Sequence, residues 1–431
     1  MFAKVLSRTR ARVARALYDQ GAETLPGHNY RNLLLSGAWF GPLDGGIFNY
    51  LPVFVARLGA SATTVSLLTT GPSLLAALSY IPGGAFAERH KDQVRLVFRS
   101  AMISRLLYFL IALLPLFLGL KSVPAAVIVL WSLQAIPNAV QFPAFMGVVQ
   151  RAVSAKQRPR LNGTRWALMS MASGTSIAIF GFLLDRVPFP IGYQVVFAIS
   201  VFAGLMNMYY FSKVVVPPFI SNRSHAPSSQ HTLARVRAFL RPFTESRRFM
   251  RFSAANIAYR LALTLPAGLY SIFWVRNLQA TDMWIGLRGT TGYAALVLGY
   301  WFWGRMAGKL GHRRMLIICG AGQAFYPILT ALAPSMQWLL PAAVVWGLTI
   351  GGIELGLFDM LLAACPEGRQ PSFAAAGSMT TSLGVMLGPL LGAALAQTTA
   401  IPTALFAVGL LQMAATAGFL LLPSREEEAL A

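Results

Sequence analysis

Long apolar segments alternate with short polar stretches along this 431-residue chain. Twelve of them are long enough to cross about 30 Å of hydrocarbon at about 1.5 Å of helix rise per residue. They cover residues 31–57, 62–86, 96–119, 123–149, 163–184, 192–216, 251–275, 283–307, 314–333, 337–364, 372–396 and 400–422. The pattern predicts an all-α membrane protein with twelve transmembrane helices.

A polar, basic stretch between the sixth and seventh segments divides the chain into two sets of six. We therefore predict a six-helix bundle at 31–216, a linker at 217–250, a second six-helix bundle at 251–422 and a tail at 423–431. Residues 1–30 include an amphipathic stretch with basic residues along one helical face, typical of a helix lying on a membrane surface. An arginine-rich transit peptide would look similar, whereas a signal peptide needs an apolar core that this stretch lacks.

Composition supports a membrane protein, since 56% of the residues are hydrophobic and only 12% are charged. A net charge of +22 would suggest nucleic-acid binding in a soluble protein, but most of the 36 lysines and arginines lie in the loops on one side of the predicted membrane. The opposite side has only Arg57, Lys121, Arg186 and Arg276. This asymmetry places both termini in the cytoplasm and argues against a nucleic-acid partner. We expect an integral protein of a bacterial cytoplasmic (inner) membrane.

The two cysteines form no CxxC pair, and the five histidines lie outside the apolar segments. We therefore expect no metal site and no cofactor. No nucleophile–base pair or phosphate-binding loop is evident, so the sequence gives no indication of an enzyme.

Two loops carry a recognisable motif. The loop between helices 2 and 3 reads GAFAERHKDQVRL, and the loop between helices 8 and 9 reads GRMAGKLGHRR. With the six-plus-six arrangement, these loops resemble the G-x-L-A-D-R-x-G-R-[RK] signature of the major facilitator superfamily and its weaker repeat. The matching residues are Gly84, Glu88 and Arg89 in the first copy, and Gly304, Gly311, Arg313 and Arg314 in the second.

The resemblance implies two pseudo-symmetric six-helix bundles that rock around a binding site in the middle of the membrane. It implies that helices 1, 4, 7 and 10 line the central cavity, and that the seven motif residues form a conformational latch between the bundles. The alternative for the motif is plain positive charge on the cytoplasmic side. We expect a monomer whose partners are a small-molecule substrate, protons and the lipid bilayer.

Ionisable residues inside membrane spans are costly, so each needs a partner, a cavity or a route to the interface. Asp44 on helix 1, Arg260 on helix 7 and Glu354 on helix 10 all fall near the middle of the membrane. Aligning the two halves places Asp44 and Arg260 one turn apart, where they could reach each other. A purely structural Asp44–Arg260 pair is the alternative to a role in transport.

The predicted substrate cavity therefore contains Asp44, Arg260 and Glu354, with Asn138 and Gln134 on helix 4 and the aromatic residues Trp39 and Tyr50 on helix 1. A carboxylate taken out of water holds its proton more tightly, and a cationic neighbour or substrate reverses this. Asp44 and Glu354 are for that reason the candidates for proton coupling.

Other intramembrane features receive structural interpretations. We expect Arg105 to reach the interface or join the latch, and Arg288 to reach the interface. Glycines at every fourth position on helix 1 (Gly37, Gly41, Gly45) and on helix 11 (Gly384, Gly388, Gly392) predict close helix packing. Pro42 has no N–H for the carbonyl of Ala38, so helix 1 is expected to bend beside Asp44.

The favoured hypothesis is a secondary active transporter that exports a small organic molecule, coupled to protons. Helix 5 lacks the G-x-x-x-G-P-x-x-G-G stretch of drug–proton antiporters, and a similar stretch, GVMLGPLLGA, lies in helix 11 instead. Uptake of an anionic metabolite bound by Arg260, by symport or uniport, therefore stays open. A membrane sensor or scaffold with a transporter fold is the alternative of a different class.

Overall fold

The computed structural model describes residues 25–154, 157–218, 243, 246–364 and 370–422. Twelve helical rods, α1 to α12, occur in these ranges in the predicted order. Residues 1–24 of the predicted surface segment, most of the central linker and the tail lie outside the described residues. Residues 25–30, which were predicted to belong to that surface segment, are instead the first residues of α1.

The first half of the chain comprises six of these rods. They are α1 (Leu25–Leu43, a π-helical turn at Asp44–Phe48, then Asn49–Arg57), α2 (Ala62–Arg89), α3 (Gln93–Phe117), α4 (Val123–Leu133 and Ala135–Ala152), α5 (Arg158–Arg186) and α6 (Ile191–Ser212).

The second half has the same number of rods. They are α7 (Arg247–Thr264, Ala267–Ile272 and a π-helical turn at Phe273–Asn277), α8 (Asp282–Leu310), α9 (His312–Ala331), α10 (a 3-10 turn at Met336–Trp338, then Leu339–Ala364), α11 (Gln370–Thr398) and α12 (Ile401–Thr416 with a 3-10 turn at Ala417–Leu421). No strand occurs in the described part of the chain.

Seven stretches in the described residues are long and apolar enough to cross a membrane by length and composition alone. They are Gln93–Phe117, Val123–Ala152, Arg160–Arg186, Ile191–Ser212, Met336–Leu361, Ala376–Thr398 and Ile401–Leu421. The rods α1 and α7 are not among them. The rod α1 is interrupted by a π-helical turn at Asp44–Phe48, and α7 is interrupted at Leu265 and Pro266. Each carries an ionisable residue, Asp44 in α1 and Arg260 in α7.

Each half is held together by a close pair of helices with glycines at the contact. A Cβ built on Gly41 of α1 would stand 2.4 Å from the Cβ of Ala172 on α5. A Cβ built on Gly388 of α11 would stand 2.6 Å from the carbonyl oxygen of Leu261 on α7. Real Cβ atoms do not come this close, so both predicted glycine stripes are packing surfaces, and they occupy equivalent places in the two halves.

The two halves meet along two helix pairs, α5 with α8 and α2 with α11. We call the side on which α1 ends at Arg57 and α8 begins at Asp282 the odd-loop face, and the opposite side the even-loop face. Thr290 on α8 donates a hydrogen bond to the carbonyl of Gly174 on α5, at 2.7 Å. Thr70 on α2 donates to the carbonyl of Met386 on α11, at 3.0 Å.

At the odd-loop face an ion-paired cluster joins the halves, and we call it the odd-loop gate. Nη2 of Arg57 donates to Oδ1 of Asp282 at 2.9 Å and to the carbonyl of Ala280 at 2.8 Å. The hydroxyl of Tyr193 donates to the same Asp282 oxygen at 2.6 Å, and the amide of Asp282 donates to Asp185 at 2.7 Å. The side chain of Asp282 is only 7% exposed, so the contacts of the gate are largely shielded from solvent.

The even-loop ends of the helices are more open. Cβ atoms built on Gly84 of α2, Gly163 of α5, and Gly304 and Gly308 of α8 would have no neighbour within 4 Å. Every cross-half hydrogen bond described above lies at mid-membrane or nearer the odd-loop face. Among the described residues, the contacts between the halves are therefore concentrated at mid-membrane and at the odd-loop face.

Candidate functional site

A central cavity of about 190 Å³ lies between the two halves. Three rods line it, α1 from the first half and α8 and α10 from the second. The lining residues are Asp44, Phe48, Asn49, Arg288, Gly289, Gly292, Tyr293 and Trp346.

Asp44 is placed in this cavity by the irregular backbone of α1. It is the first residue of the π-helical turn Asp44–Phe48, two positions after Pro42. Turns of this kind widen a helix locally and are frequent at functional sites. The irregularity that Pro42 predicted is therefore present, and it takes the form of a π-helical turn.

The carboxylate of Asp44 links the two halves. Its Oδ2 atom accepts a hydrogen bond from Ser173 on α5 at 2.8 Å and another from the hydroxyl of Tyr293 on α8 at 2.7 Å. Both donors are neutral, so neither cancels the charge of the carboxylate. Asp44 is thus a polar bridge at mid-membrane whose strength depends on whether it carries a proton.

Arg288 lines the same cavity and is the residue that sequence reasoning missed. Its guanidinium lies 4.4 Å from the ring centroid of Trp274 on α7, and its Nη2 donates to the hydroxyl of Tyr326 on α9. Among the described residues no carboxylate is within ion-pair distance, and the buried Nε has no hydrogen-bond partner. Arg288 was expected to reach the membrane interface; it instead lies over aromatic rings beside the cavity.

A further donor and several aromatic faces complete the cavity. The buried Nδ2 of Asn49 has no hydrogen-bond partner among the described residues. Phe48 packs edge-on against Trp131, with ring centroids 5.0 Å apart, and Tyr293 lies 6.3 Å from Trp346. Three of the eight lining residues are therefore aromatic, and the walls also carry a negative group and a positive group.

Arg260 and Glu354 form an ion pair within the second half. Nη1 and Nη2 of Arg260 donate to the two carboxylate oxygens of Glu354 at 2.6 and 2.9 Å, a bidentate pair. The Arg260–Asp44 contact considered from the sequence is thus not the one found, because each of the two residues has other partners. The side chain of Glu354 is 42% exposed and that of Arg260 is 15% exposed.

Asn138 and Gln134 turn toward α3. The Nδ2 of Asn138 donates to Oε1 of Gln134, which also accepts a hydrogen bond from Tyr108 at 3.1 Å. Ser104 on α3 donates to Oδ1 of Asn138 at 3.3 Å. These two residues form a polar contact between α3 and α4, and neither lines the central cavity in this conformation.

The aromatic candidates on α1 also lie away from the cavity wall. Trp39 packs edge-on against Phe202 of α6, with ring centroids 6.2 Å apart. Tyr50 is fully buried and donates to the carbonyl of Ile177 at 2.8 Å, at the crossing of α1, α5 and α8. In this conformation Tyr50 forms part of the seal beneath the odd-loop gate.

Arg105 does not reach the interface either. It is 4% exposed and donates to Asn207 of α6 at 3.4 Å, while Asn207 donates in turn to Ser36 of α1. The expectation that Arg105 extends toward water was wrong. The reason is that α3, α6 and α1 offer it polar partners inside the bundle.

The motif residues lie at the even-loop face. Gly311 forms the turn between α8 and α9 with a φ of +77°. Glycine is favoured there because residues with a side chain rarely adopt a positive φ. Arg89 and Arg314 are exposed, while the side chain of Glu88 lies outside the described part of the structure. His312 contacts Asp359 of α10 at 3.2 Å. A latch role for these residues stays a prediction.

No group of three or more His, Cys, Asp or Glu side chains that could hold a metal ion occurs in the described ranges. The chemistry that the central cavity offers is therefore hydrogen bonding, charge and aromatic contact.

Solved transporters share this fold. A mutant of the nucleoside transporter NupG superposes with a TM-score of 0.72 over 91% of this chain and 98% of that one, at 10% identity. A bacterial homologue of the iron transporter ferroportin, solved in an inward-facing state, gives 0.69 over 91% and 98%, at 13% identity. At such identities the similarity concerns the fold alone.

Two curated proteins match short parts of the sequence. Multidrug resistance protein MdtG of Serratia proteamaculans is 29% identical over 120 residues, 27% of this chain and 28% of that protein. The multidrug transporter mfsB of Aspergillus fumigatus is 31% identical over 96 residues, 22% of this chain and 16% of that protein. The matches thus span less than a third of either relative.

A family model covers nearly the whole chain. The model of the Major Facilitator Superfamily matches residues 33–250 and again residues 252–431, one match for each half. The two matches agree with the two six-helix bundles, the α2–α11 and α5–α8 contacts and the cavity between them. The chain belongs to the Major Facilitator Superfamily, and is a transporter rather than an enzyme.

Proposed function

We propose that this transporter exports a small organic molecule in exchange for protons, and that Asp44 is the group that exchanges them. The observation that carries the proposal is the position of Asp44 between the halves, where it lines the cavity and bonds to Tyr293 of the other half. The two curated relatives, one named a multidrug resistance protein and the other a multidrug transporter, favour export.

Proton coupling would follow from the effect of protonation on the hydrogen bonds that Asp44 accepts. An ionised Asp44 accepts charge-assisted hydrogen bonds from Tyr293 and Ser173, which are about twice as strong as bonds between neutral groups. A proton on Asp44 weakens the Tyr293 bond and so loosens the contact between α1 and α8. A substrate that needs the ionised carboxylate competes with the proton for the site, which is the requirement for exchange.

Uptake of an anion bound by Arg260 receives less support. The Glu354 carboxylate already satisfies both terminal nitrogens of Arg260. An anion would have to displace a bidentate partner. Glu354, which is partly exposed, remains a second candidate for proton coupling through the same pair.

Purified protein in liposomes with an imposed pH gradient tests the proposal, with organic cations, anions, zwitterions and neutral compounds as substrates. We expect gradient-driven accumulation in the parent protein. Asp44→Asn should lose gradient-driven accumulation, because asparagine carries neither the exchanged proton nor the charge that a cationic group of the substrate would contact. Asp92→Asn, an exposed acid that caps α3, is the matched control and should transport normally. Unchanged accumulation in both Asp44→Asn and Glu354→Gln would refute proton coupling at these sites.

We propose that the even-loop face is cytoplasmic and that the protein works as a monomer in a bacterial inner membrane. The excess of lysine and arginine in the even loops supports this orientation. A single cysteine at Ser154 should react with an impermeant thiol reagent only from the cytoplasm, and one at Lys121 only from the outside. The reverse pattern would overturn the orientation.

A further inference from the structure

The central cavity has one charge of each sign, and the two belong to different halves of the protein. Asp44 comes from α1 of the first half and Arg288 from α8 of the second. In the described part of the chain, Asp44 is held by the hydroxyls of Ser173 and Tyr293 and by no cation. Among the described residues, no carboxylate neutralises Arg288. Each charge is therefore available to a ligand.

Two donors of residues that line the cavity lack acceptors. The Nε of Arg288 and the Nδ2 of Asn49 are buried and have no hydrogen-bond partner among the described residues. Leaving such donors unsatisfied costs free energy, and a ligand that supplies acceptors recovers it. An anionic oxygen group fits this end of the cavity, because a guanidinium recognises a carboxylate through paired N–H donors.

Three aromatic residues of the cavity lining offer flat surfaces to a ligand. They are Phe48, Tyr293 and Trp346, and Gly289 and Gly292 of α8 let Ile177 and Trp346 pack closely against that helix. A Cβ at Gly292 would stand 3.1 Å from the Trp346 ring, so the glycine keeps the surface flat. A planar apolar body suits such a surface, since aromatic faces stack on flat rings.

We propose that the cavity binds amphoteric aromatic molecules, with a cationic group at Asp44, an anionic group at Arg288 and a flat body against Trp346 and Phe48. This rests on the proposed function, because a cationic group at Asp44 is what would compete with the proton there. It goes further by specifying the second charge. A ligand with both charges joins the two halves through the cavity, whereas a ligand with one charge contacts only one of the two groups.

Equilibrium binding to the full-length protein in detergent or nanodiscs tests the inference without any gradient. Four probes share one benzene ring: 4-(aminomethyl)benzoate with both charges, benzylamine with the positive charge, 4-methylbenzoate with the negative charge, and neutral benzyl alcohol. We expect the doubly charged probe to bind about tenfold or more tighter than either singly charged one, as a hydrogen-bonded charge contributes at least that much.

Variants assign each charge to its residue. Arg288→Gln should remove the advantage of 4-(aminomethyl)benzoate over benzylamine, because no positive group then contacts the carboxylate of the probe. Asp44→Asn should remove its advantage over 4-methylbenzoate. Arg288→Lys keeps the charge and should retain part of the preference. Arg305→Gln is the matched control, because this exposed arginine on the same helix also lies over a ring, 4.0 Å from the centroid of Trp301.

The difference in affinity between the doubly and singly charged probes tests the inference. Equal binding of benzylamine and 4-(aminomethyl)benzoate by the parent, no binding of any probe at millimolar concentration, or a preference that survives Arg288→Gln would each overturn the inference. Because no pH gradient is present, these results are independent of proton coupling. Charge-selective binding together with failed gradient-driven transport would sink only the proton exchange, and the reverse result would sink only the amphoteric ligand.

Discussion

Replacement of Asp282 by asparagine is expected to open the odd-loop gate. Oδ1 of Asp282 accepts hydrogen bonds from Nε of Arg57 at 3.1 Å, from Nη2 of Arg57 at 2.9 Å and from the hydroxyl of Tyr193 at 2.6 Å. All three donors belong to the first half, while Asp282 belongs to the second. Removing the charge therefore weakens the contact that holds the halves together on this side.

The size of the effect follows from these contacts. A hydrogen bond to a charged group contributes about 1.5–3 kcal/mol. Arg57 is 24% exposed, so solvent screens part of the attraction. Asparagine also keeps one acceptor oxygen. We expect a net loss of about 1–3 kcal/mol for the closed gate, which raises the population with an open odd-loop face about 5- to 150-fold.

Thiol labelling from the odd-loop side measures that population. A single cysteine at Asn49, in a background with Cys319 and Cys365 replaced by alanine, reports on the central cavity. Asp282→Asn should raise its rate of reaction with an impermeant reagent by the factor above. Lys121→Gln removes an exposed charge from the same face and should leave the rate unchanged. If Asp282→Asn reacts at the parental rate, the gate does not limit access and the reasoning is wrong.

Two stability predictions concern the second half. Glu354→Gln leaves Arg260 without its carboxylate and should lower the free energy of unfolding by about 1–3 kcal/mol. The loss is smaller than for a fully buried pair because Glu354 is partly exposed. An unchanged thermal midpoint would contradict this, and adding Arg260→Gln should restore part of the loss. Gly392→Ala places a Cβ 1.8 Å from the carbonyl oxygen of Leu265, so it should cost about 1–3 kcal/mol in the same thermal assay. Gly163 is a helical glycine with no neighbour within 4 Å, so Gly163→Ala should instead be neutral or stabilising by up to about 1 kcal/mol. Equal losses of stability in both glycine variants would show that close packing is not the cause.

Sequence reasoning was most reliable where it used length and small residues. The predicted span 31–57 corresponds to α1, which begins at Leu25 and ends at Arg57. The glycine stripes of helices 1 and 11 lie at close helix contacts, as their spacing predicted. The length of an apolar segment and the spacing of its glycines are properties of that segment alone, so a single sequence is enough to detect them.

The rotation of each helix about its own axis was harder to predict from the sequence. Helices that are apolar on nearly all sides give no periodic signal that tells cavity from lipid. Arg288 lies six residues after Asp282, about 9 Å of helix, which fitted an interfacial side chain. Only the three-dimensional arrangement shows that it faces Trp274 and the cavity. The free-energy cost of a charge inside a membrane span was the signal that could have identified Arg288. Such a charge needs a partner, and none was near Arg288 in the sequence.

Pairing across helices was the second limit. The offset between the halves placed Arg260 near Asp44 in depth, and depth alone favoured a contact. The structure instead pairs Arg260 with Glu354, within one half, and gives Asp44 two hydroxyl partners. Similar depth is necessary for a contact, but the azimuth of each side chain around its helix decides which contact forms.

The π-helical turn at Asp44–Phe48 also has a consequence for the evolution of this chain. A π-helical turn holds one residue more than an α-helical turn, so the extra residue is accommodated locally and the helix continues on both sides of it. The segment Asn49–Arg57 thereby continues from the wide turn to the contact between Arg57 and Asp282. A deletion of one residue within the turn would return α1 to regular α-helical hydrogen bonding and leave its apolar length and the gate nearly intact, yet it would remove the widened backbone at Asp44. In this helix, a change too small to alter hydropathy is enough to alter the cavity wall without opening the gate.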